Sequence, residues 1–476
     1  MKYETVCGLE IHTELLTKTK IFCSCSTAFG GEANTQCCEI CTGMPGTLPS
    51  LNKKVCEFAV RTGAALHCEI NRYTKFDRKN YFYPDLPKAY QISQLYIPIC
   101  QNGYVEIGDS IKGGKKRVRI HEIHMEEDAG KLIHKDDKTL INFNRCGVPL
   151  LEIVTEPDIS TGEEAAEFTQ KLRDILRFCG VSDCKMQEGS LRADVNVSVR
   201  PKGSDTLGTR TEMKNINSFK AIKNAVLHEA KRQISVLECG GEIIQQTRRW
   251  DDRENTSYPM RIKENAPHYK YFPEPDIPPL TFSEEYIESV RATLPELPDE
   301  KKLRYITKLG LTEYDADIIC SDLAFIKLFE KTAELTNSPK ESANWIMGEV
   351  MRMLSVTQTL PENMNFRAES LGEIINLLSA GKITRSTAKE TFEQVFVNGV
   401  DPSEYIKQNG LELQNNSDEI LAVVRSVISA NPKAVDEYLG GKQKAIGFLI
   451  GQAMKQLGGK ASPNEVSDCI KNEIKT

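Results

Sequence analysis

The sequence predicts an α+β fold built on a mainly antiparallel sheet, followed by all-α regions. Three observations lead there. Five short segments alternate apolar and polar residues at the period of a strand. Amphipathic helical segments interrupt them, in the order strands, helix, strands, helix, with short hairpin-like links. A stretch holding six prolines between Pro259 and Pro279 then separates these segments from sequence that is helical.

The first strand, VCGLEIHTE, places Gly8, Glu10, His12 and Glu14 on one face and Cys7, Leu9 and Ile11 on the other. Cys23-x-Cys25 and Cys38-x-x-Cys41 follow, separated by twelve residues. Two close pairs of thiolates suit the closed tetrahedron of structural zinc, and four thiolates leave no open position for catalysis. Buried free thiols or a redox role are the alternatives, and Cys37 beside Cys38 leaves the ligand set open. Gly43, Pro45, Gly46 and Pro49 make an irregular bend. Ser50 can then cap a helix carrying Val55, Phe58, Ala59 and Leu66 at helical spacing. In KFDRKNYFYPDLPKAYQISQ, dense in Lys, Arg and Tyr, Arg78 and Lys79 suit nucleotide phosphates and equally an ordinary surface loop.

RIHEIHMEE alternates from Ile120, with Ile123 and Met125 facing one way and Glu122, His124 and Glu126 the other. After a turn at Gly130, LLEIVTE sets Glu152 and Glu156 opposite Ile153. Ser160 and Glu163 form an S-x-x-E capping box for a helix striped by Ala165, Phe168, Leu172, Ile175 and Leu176. ADVNVSVR sets Asp194, Asn196 and Ser198 against Val195, Val197 and Val199, and RTEMKN brings Glu212 and Lys214 together. A further helix starts at Ser218, with Phe219, Ile222, Val226, Ala230 and Ile234 on one face. The prolines of YFPEPDIPPL read as an extended connector, not as sheet interior. The expected domains are 1–294, a helical region 295–405, and a compact helical tail 406–476 rich in Gly and Lys.

Composition is that of an ordinary globular protein: 476 residues, 40% hydrophobic, 27% charged, net charge −6. Nothing in this balance announces a nucleic-acid binder. Locally, residues 70–119 carry ten Lys/Arg against four Asp/Glu, which fits either a phosphate-facing edge or a solvated hairpin. Without a signal-like apolar segment or a membrane-length apolar run, fifteen cysteines fit a reducing cytoplasm better than a disulfide scaffold. Gly108 and Gly113 have P-loop spacing, but Gly114 stands where lysine is required. No dinucleotide-binding glycine fingerprint and no G-x-S-x-G elbow is present, and nothing marks Cys7, Cys37 or Cys146 as a glutaminase nucleophile. The front of the sheet is therefore the place to look for chemistry. It gathers Glu10, His12, Glu126, Glu152, Asp194 and Glu212. Clustered carboxylates repel one another, and hard divalent cations are the usual remedy. The alternative is a merely hydrophilic surface.

The blocks VCGLEIHTEL, KFDRKNYFYPDLPKAYQISQ, IHMEEDAGKL, NRCGVPLLEIVTEPDI, EGSLRADVNVS and TEMKNINSF resemble the signature blocks of the GatB/GatE family of tRNA-dependent amidotransferase subunits. YLGGKQKAIGFLIGQAMKQLGGKASP resembles that family's YqeY-like tail. The blocks run end to end in the expected order, and no insertion precedes the helical region, as in the GatB branch. The resemblance implies a glutamine-synthetase-like cradle, a helical domain and a tRNA-binding tail, in a cytoplasmic heterotrimer with the glutaminase GatA and with GatC. It implies an ATP-dependent carbon–nitrogen ligase with glutamine as amido donor. ATP would phosphorylate the side-chain carboxyl of misacylated Glu-tRNA(Gln) or Asp-tRNA(Asn), and ammonia would displace the phosphate.

Carried onto this sequence, the resemblance makes Glu10, His12, Glu126 and Glu152 ligands of Mg²⁺, or of Mn²⁺ in view of the imidazole. Lys79, with Arg78 and Lys214, would bind the nucleotide; Asp194 and Glu212 would complete the kinase site or receive ammonia. Zinc on Cys23, Cys25, Cys38 and Cys41 would be a feature of one branch of the family. Two readings compete: a stand-alone ATP-dependent carboxylate–amine ligase, and a non-catalytic, zinc-stabilised tRNA-binding or assembly subunit.

Overall fold

The structure, a computed structural model, describes residues 2–108, 114–262, 269–413, 417–442, 444–457, 461 and 463–475. The chain divides into two compact units, Met1–Pro298 and Asp299–Thr476. In the first unit nine strands form one sheet: β1 (Tyr3–Glu14), β2 (Glu69–Ile70), β3 (Cys100–Ile107), β4 (Lys116–Glu127), β5 (Pro149–Thr155), β6 (Leu191–Pro201), β7 (Thr211–Ile216), β8 (Gln246–Asp251) and β9 (Thr256–Ile262). Their order is β9-β8-β7-β6-β1-β5-β4-β3-β2, antiparallel throughout except between β7 and β8. The N-terminal strand thus lies in the middle of the sheet.

The apolar backs of the strands make the core. Leu9, Ile11, Ile123, Met125, Leu151, Ile153, Val195 and Val197 are buried in one cluster with Phe168, Leu172 and Leu176 of α2 (Gly162–Phe178) and Ile222 and Val226 of α3 (Phe219–Glu238). Helices cover this face because each strand sends every second, apolar side chain toward them. The opposite, polar face is left for the charged side chains.

Local details depart from the sequence expectation. Strict alternation from Ile120 would send it to the polar face with Glu122. A β-bulge in β4 intervenes: Val154 pairs with Glu122 and Thr155 with Ile120, so His121 is the extra residue and Ile120 turns back into the core. The helix α1 (Lys53–Ala65) is capped by Asn52, not Ser50, because the Ser50 and Asn52 N–H groups bond Phe22 and Ile21 and keep the chain extended. Likewise α2 is capped by Thr161, not Ser160. Ile159 pairs with Cys7 and holds the chain extended, and Glu164 accepts from the Ser160 N–H. Ser218 caps α3 as expected. The proline-rich stretch is more than a connector. Pro259 lies in β9, an edge strand opposite a register shift, where a missing N–H is tolerated. Phe272–Pro273 pairs with the strand Asp77–Asn80.

The described residues of the second unit are helical. Helices between Pro298 and Gln408 bury Tyr305, Phe329, Trp345 and Phe392, and a π-helical turn, Ile346–Val350, interrupts the run from Pro339 to Thr357. The helix Pro402–Gln408 crosses the expected boundary at 405/406, because Asp401 caps it and Ile406 is buried. Ser417–Ala430, Pro432–Leu439, Lys444–Gln456 and Pro463–Lys475 share a separate cluster around Val424, Val427, Leu449 and Val466. No described helix is long and apolar enough to cross a membrane.

Candidate functional site

Strand register builds the polar face row by row. His12 of β1 pairs with Glu152 of β5, which pairs in turn with His124 of β4. One row over, Glu10 pairs with Asp194 of β6, and Asn196 pairs with Glu212 of β7. The six expected side chains form two neighbouring triads on this face. Donor atoms of His12, Glu126 and Glu152 lie within 4.8 Å of one another, as do those of Glu10, Asp194 and Glu212. His12 Nε2 is 3.4 Å from both Glu126 Oε1 and Glu152 Oε2.

The first triad has a neighbour that the sequence places on this face but that is not among the expected site residues. His124 Nε2 lies 3.0 Å from Glu152 Oε2 and His124 Nδ1 3.4 Å from Glu122 Oε1. Burial works against its charge, but Glu152 and Glu122 outweigh it and push the imidazole up to about 10. His12 is also raised: burial is again overcome, by Glu152 and Glu126. The two carboxylates respond oppositely. Burial would raise Glu152, yet His12 and His124 hold it well below the usual range, whereas burial and the charge on Glu152 raise Glu126. The parity of β4, which puts His124 on the face of Glu126, is the signal that could have found it.

In the second triad Lys214 donates to Asp194, and to Glu212 Oε1 at 3.0 Å. Asn196 donates to Glu10 Oε1 (2.9 Å) and Thr247 to Glu212 Oε2 (2.7 Å). Burial, followed by the charge on Glu152, raises Glu10. Lys79 lies on the strand Asp77–Asn80 with its ammonium 5.1 Å from the Tyr269 ring centroid. Burial would lower it, but Glu126, Tyr271 and Glu152 hold it firmly charged. Arg78, next along that strand, does not join them. Consecutive strand residues face opposite ways, and its guanidinium is taken up by Glu274 (2.5 Å) and Asp276 (2.9 Å) and stacks on Tyr90. Glu156 is also diverted, lying past the bulge and 2.9 Å from His121. A further layer comes from no single motif. Asp128 accepts from Arg192 (2.7 Å), and burial together with Asp128 pushes Glu14 up to about 7.

The sulfur atoms of Cys23, Cys25, Cys38 and Cys41 also lie within 4.8 Å of one another. Cys37 stays outside, its thiol directed at the Asn34 carbonyl. The Cys23 thiol, aided by the Cys38 N–H and Lys20, holds Cys41 down to about 4 against the effect of burial. The knuckle is fastened to the segment leading into β5: the Phe143 N–H donates to Asn34 Oδ1 (2.7 Å) and the Cys146 thiol to the Cys41 carbonyl (3.2 Å). The donor chemistry fits two kinds of ion. Oxygen-rich triads match a hard divalent cation, and four sulfurs match tetrahedral zinc.

Known proteins are similar to this sequence from end to end. The family described as the GatB/GatE catalytic domain matches residues 5–288, and the family described as the GatB domain matches residues 327–474. The B subunit of the aspartyl/glutamyl-tRNA(Asn/Gln) amidotransferase of Caldicellulosiruptor saccharolyticus is 53% identical over 100% of this chain and 99% of its own length. The proteins of the same description from Lachnoclostridium phytofermentans and Caldanaerobacter subterraneus subsp. tengcongensis are also 53% identical. They are matched over 98% of both chains and 100% of both chains, respectively.

Proposed function

The chain belongs to the GatB/GatE family, and on that premise we propose that it is the subunit of a tRNA-dependent amidotransferase that activates a carboxyl group with ATP. The substrate is glutamate or aspartate esterified to tRNA(Gln) or tRNA(Asn). The γ-phosphoryl group of ATP passes to the side-chain carboxylate and ADP leaves. Ammonia then attacks the acyl carbon of the acyl phosphate, expelling phosphate and leaving the amide. A glutaminase partner, GatA, supplies the ammonia from glutamine, and GatC completes a cytoplasmic heterotrimer. The cradle ends near residue 298, and the helices beyond it serve tRNA.

One observation carries this reading: the triads His12–Glu126–Glu152 and Glu10–Asp194–Glu212 lie side by side on one sheet face, with Lys214 between two of their carboxylates and Lys79 in the field of two others. Bound there, Mg²⁺ or Mn²⁺ would supply positive charge to offset that of the transferring phosphoryl group. Each triad would hold a cation. His124 keeps Glu152 ionised and oriented toward His12. Lys79 presents a permanent positive charge to phosphate. Lys214, paired with Asp194 and Glu212, would be placed to donate to phosphate if a cation took those carboxylates. Cys23, Cys25, Cys38 and Cys41 hold structural zinc.

The test is ATP cleavage by the chain assembled with GatA and GatC, with and without misacylated tRNA, and with ammonia in place of glutamine. ADP formation that requires the misacylated tRNA supports the reading. Tight tRNA binding without turnover, in an intact complex, leaves this chain a binding scaffold.

A further inference from the structure

Lys20 is fully buried, at 0% exposure, and is among the largest side chains so enclosed. Burying an ammonium is costly unless an anion accompanies it. Other cationic side chains near the site have carboxylates: Lys214 has Asp194 and Glu212, and Lys88 has Glu127. Lys20 has none within 4.0 Å among the described residues. Its Nζ donates to the Phe143 carbonyl at 3.3 Å and to Cys41 Sγ at 3.6 Å. Glu127 lines the same cavity of about 170 Å³, but its carboxylate is engaged by Lys88 and by the Ile92 N–H. One sulfur at 3.6 Å and one carbonyl at 3.3 Å are thin compensation for a fully buried ammonium.

A metal-loaded knuckle resolves this. Metal-binding cysteines are thiolates, so four of them around a divalent ion leave a net negative charge. From the burial of Lys20 and its contact with Cys41 we infer that Lys20 is the internal counter-cation of the four-cysteine centre. It offsets that charge and ties the centre, through the Phe143 carbonyl, to the segment that runs into β5. The inference rests on the zinc reading of the knuckle and adds to it the charge the centre carries and the residue that balances it. Outer partners of metal ligands commonly govern affinity by about 10- to 100-fold.

The experiment uses the full chain, as wild type, Lys20→Met and Lys20→Arg. Zinc content is measured by atomic emission, zinc affinity by competition with a chromophoric chelator, and melting temperature with metal bound and stripped. Wild type is expected to hold about one zinc per chain. Lys20→Met should lose about 10- to 100-fold in zinc affinity, and Lys20→Arg should keep most of it. The melting difference should also depend on the metal. Loaded, Lys20→Met melts well below wild type; stripped, the gap narrows or closes, since the ammonium then faces at most one thiolate in place of four. Wild-type protein that binds no zinc removes the knuckle reading itself. Zinc-binding wild type with equal affinity in Lys20→Met overturns the role of Lys20 alone. If Lys20→Met does not fold, Lys20→Arg decides: a folded Arg variant with tenfold or greater loss of affinity makes the role one of shape and overturns the charge inference.

Discussion

At the scale of single residues, Glu152 owes its charge to two imidazoles, and this sets what each neighbour can do. Glu126→Ala removes a donor of the first triad, so ATP cleavage driven by misacylated tRNA should fall about 100- to 1,000-fold, with tRNA binding by filter retention intact. Unchanged amidation would remove the triad from the mechanism. His124→Asn leaves the three donors in place but loosens Glu152. A smaller loss is expected, about 10- to 100-fold, partly recovered at high Mg²⁺; a loss indifferent to Mg²⁺ would count against a positioning role. Much of this face is legible from alternation alone, since Glu10, His12, Glu126, Glu152, Asp194 and Glu212 each stand opposite an apolar neighbour. Arg78 escapes that logic because its stretch reads as a loop, in which adjacent basic residues share a side; as a strand it separates them. Glu14, Asp128 and Arg192 meet only through the pairing of three distant segments, which no local pattern encodes.

At the scale of elements, close approach and buried charge set the sensitive points. A Cβ on Gly162, the first residue of α2, would lie 2.4 Å from the Lys223 carbonyl of α3, and backbone cannot yield as a flexible side chain can. Gly162→Ala should therefore push α2 and α3 apart and cost about 1–3 kcal/mol in urea unfolding; a neutral effect would mean that the helices slide freely. In the π-helical turn, Glu349 is buried and bound by Lys389 (2.5 Å) and Arg352 (2.9 Å). Burial alone would raise this carboxyl; Lys389 and Arg352 hold it below its ordinary value of 4.5. Its stabilisation is thus complete above that value and fades as pH falls through the lower folded value. Glu349→Gln should cost about 1–3 kcal/mol at neutral pH, and the melting difference from wild type should close in acid. A gap that widens in acid would contradict the ion pairs. Element type is readable from period, but caps slip by one or two residues. Backbone pairing at Cys7, Ile21 and Phe22 decides where the chain may turn, and it comes from remote sequence.

At the scale of the molecule, the two units have their own interiors, one behind the sheet and the other among helices. Calorimetry of the whole chain should show more than one transition, with a zinc chelator lowering only that of the sheet-bearing unit, which contains the knuckle. One transition moved as a whole would mean that the units unfold together. The proline-rich stretch marks the passage from sheet to helix in the sequence. The finer boundary in the helical region is illegible there, because the helix Pro402–Gln408 carries an ordinary cap and an ordinary buried face and reads as either side's property.

The place of β1 in the middle of the sheet has a consequence for the order in which the protein is made. β1 leaves the ribosome well before the strands it pairs with: β5, which begins at Pro149, and β6, whose last residue, Pro201, pairs with Tyr3. At about 5–20 residues per second, Leu9 and Ile11 wait roughly 10–40 s for neighbours. Nascent chains arrested before Leu191 should leave this strand open to protease and to holding chaperones, and chains released beyond Pro201 should close over it. The sheet is thus completed from its centre only after its second half exists.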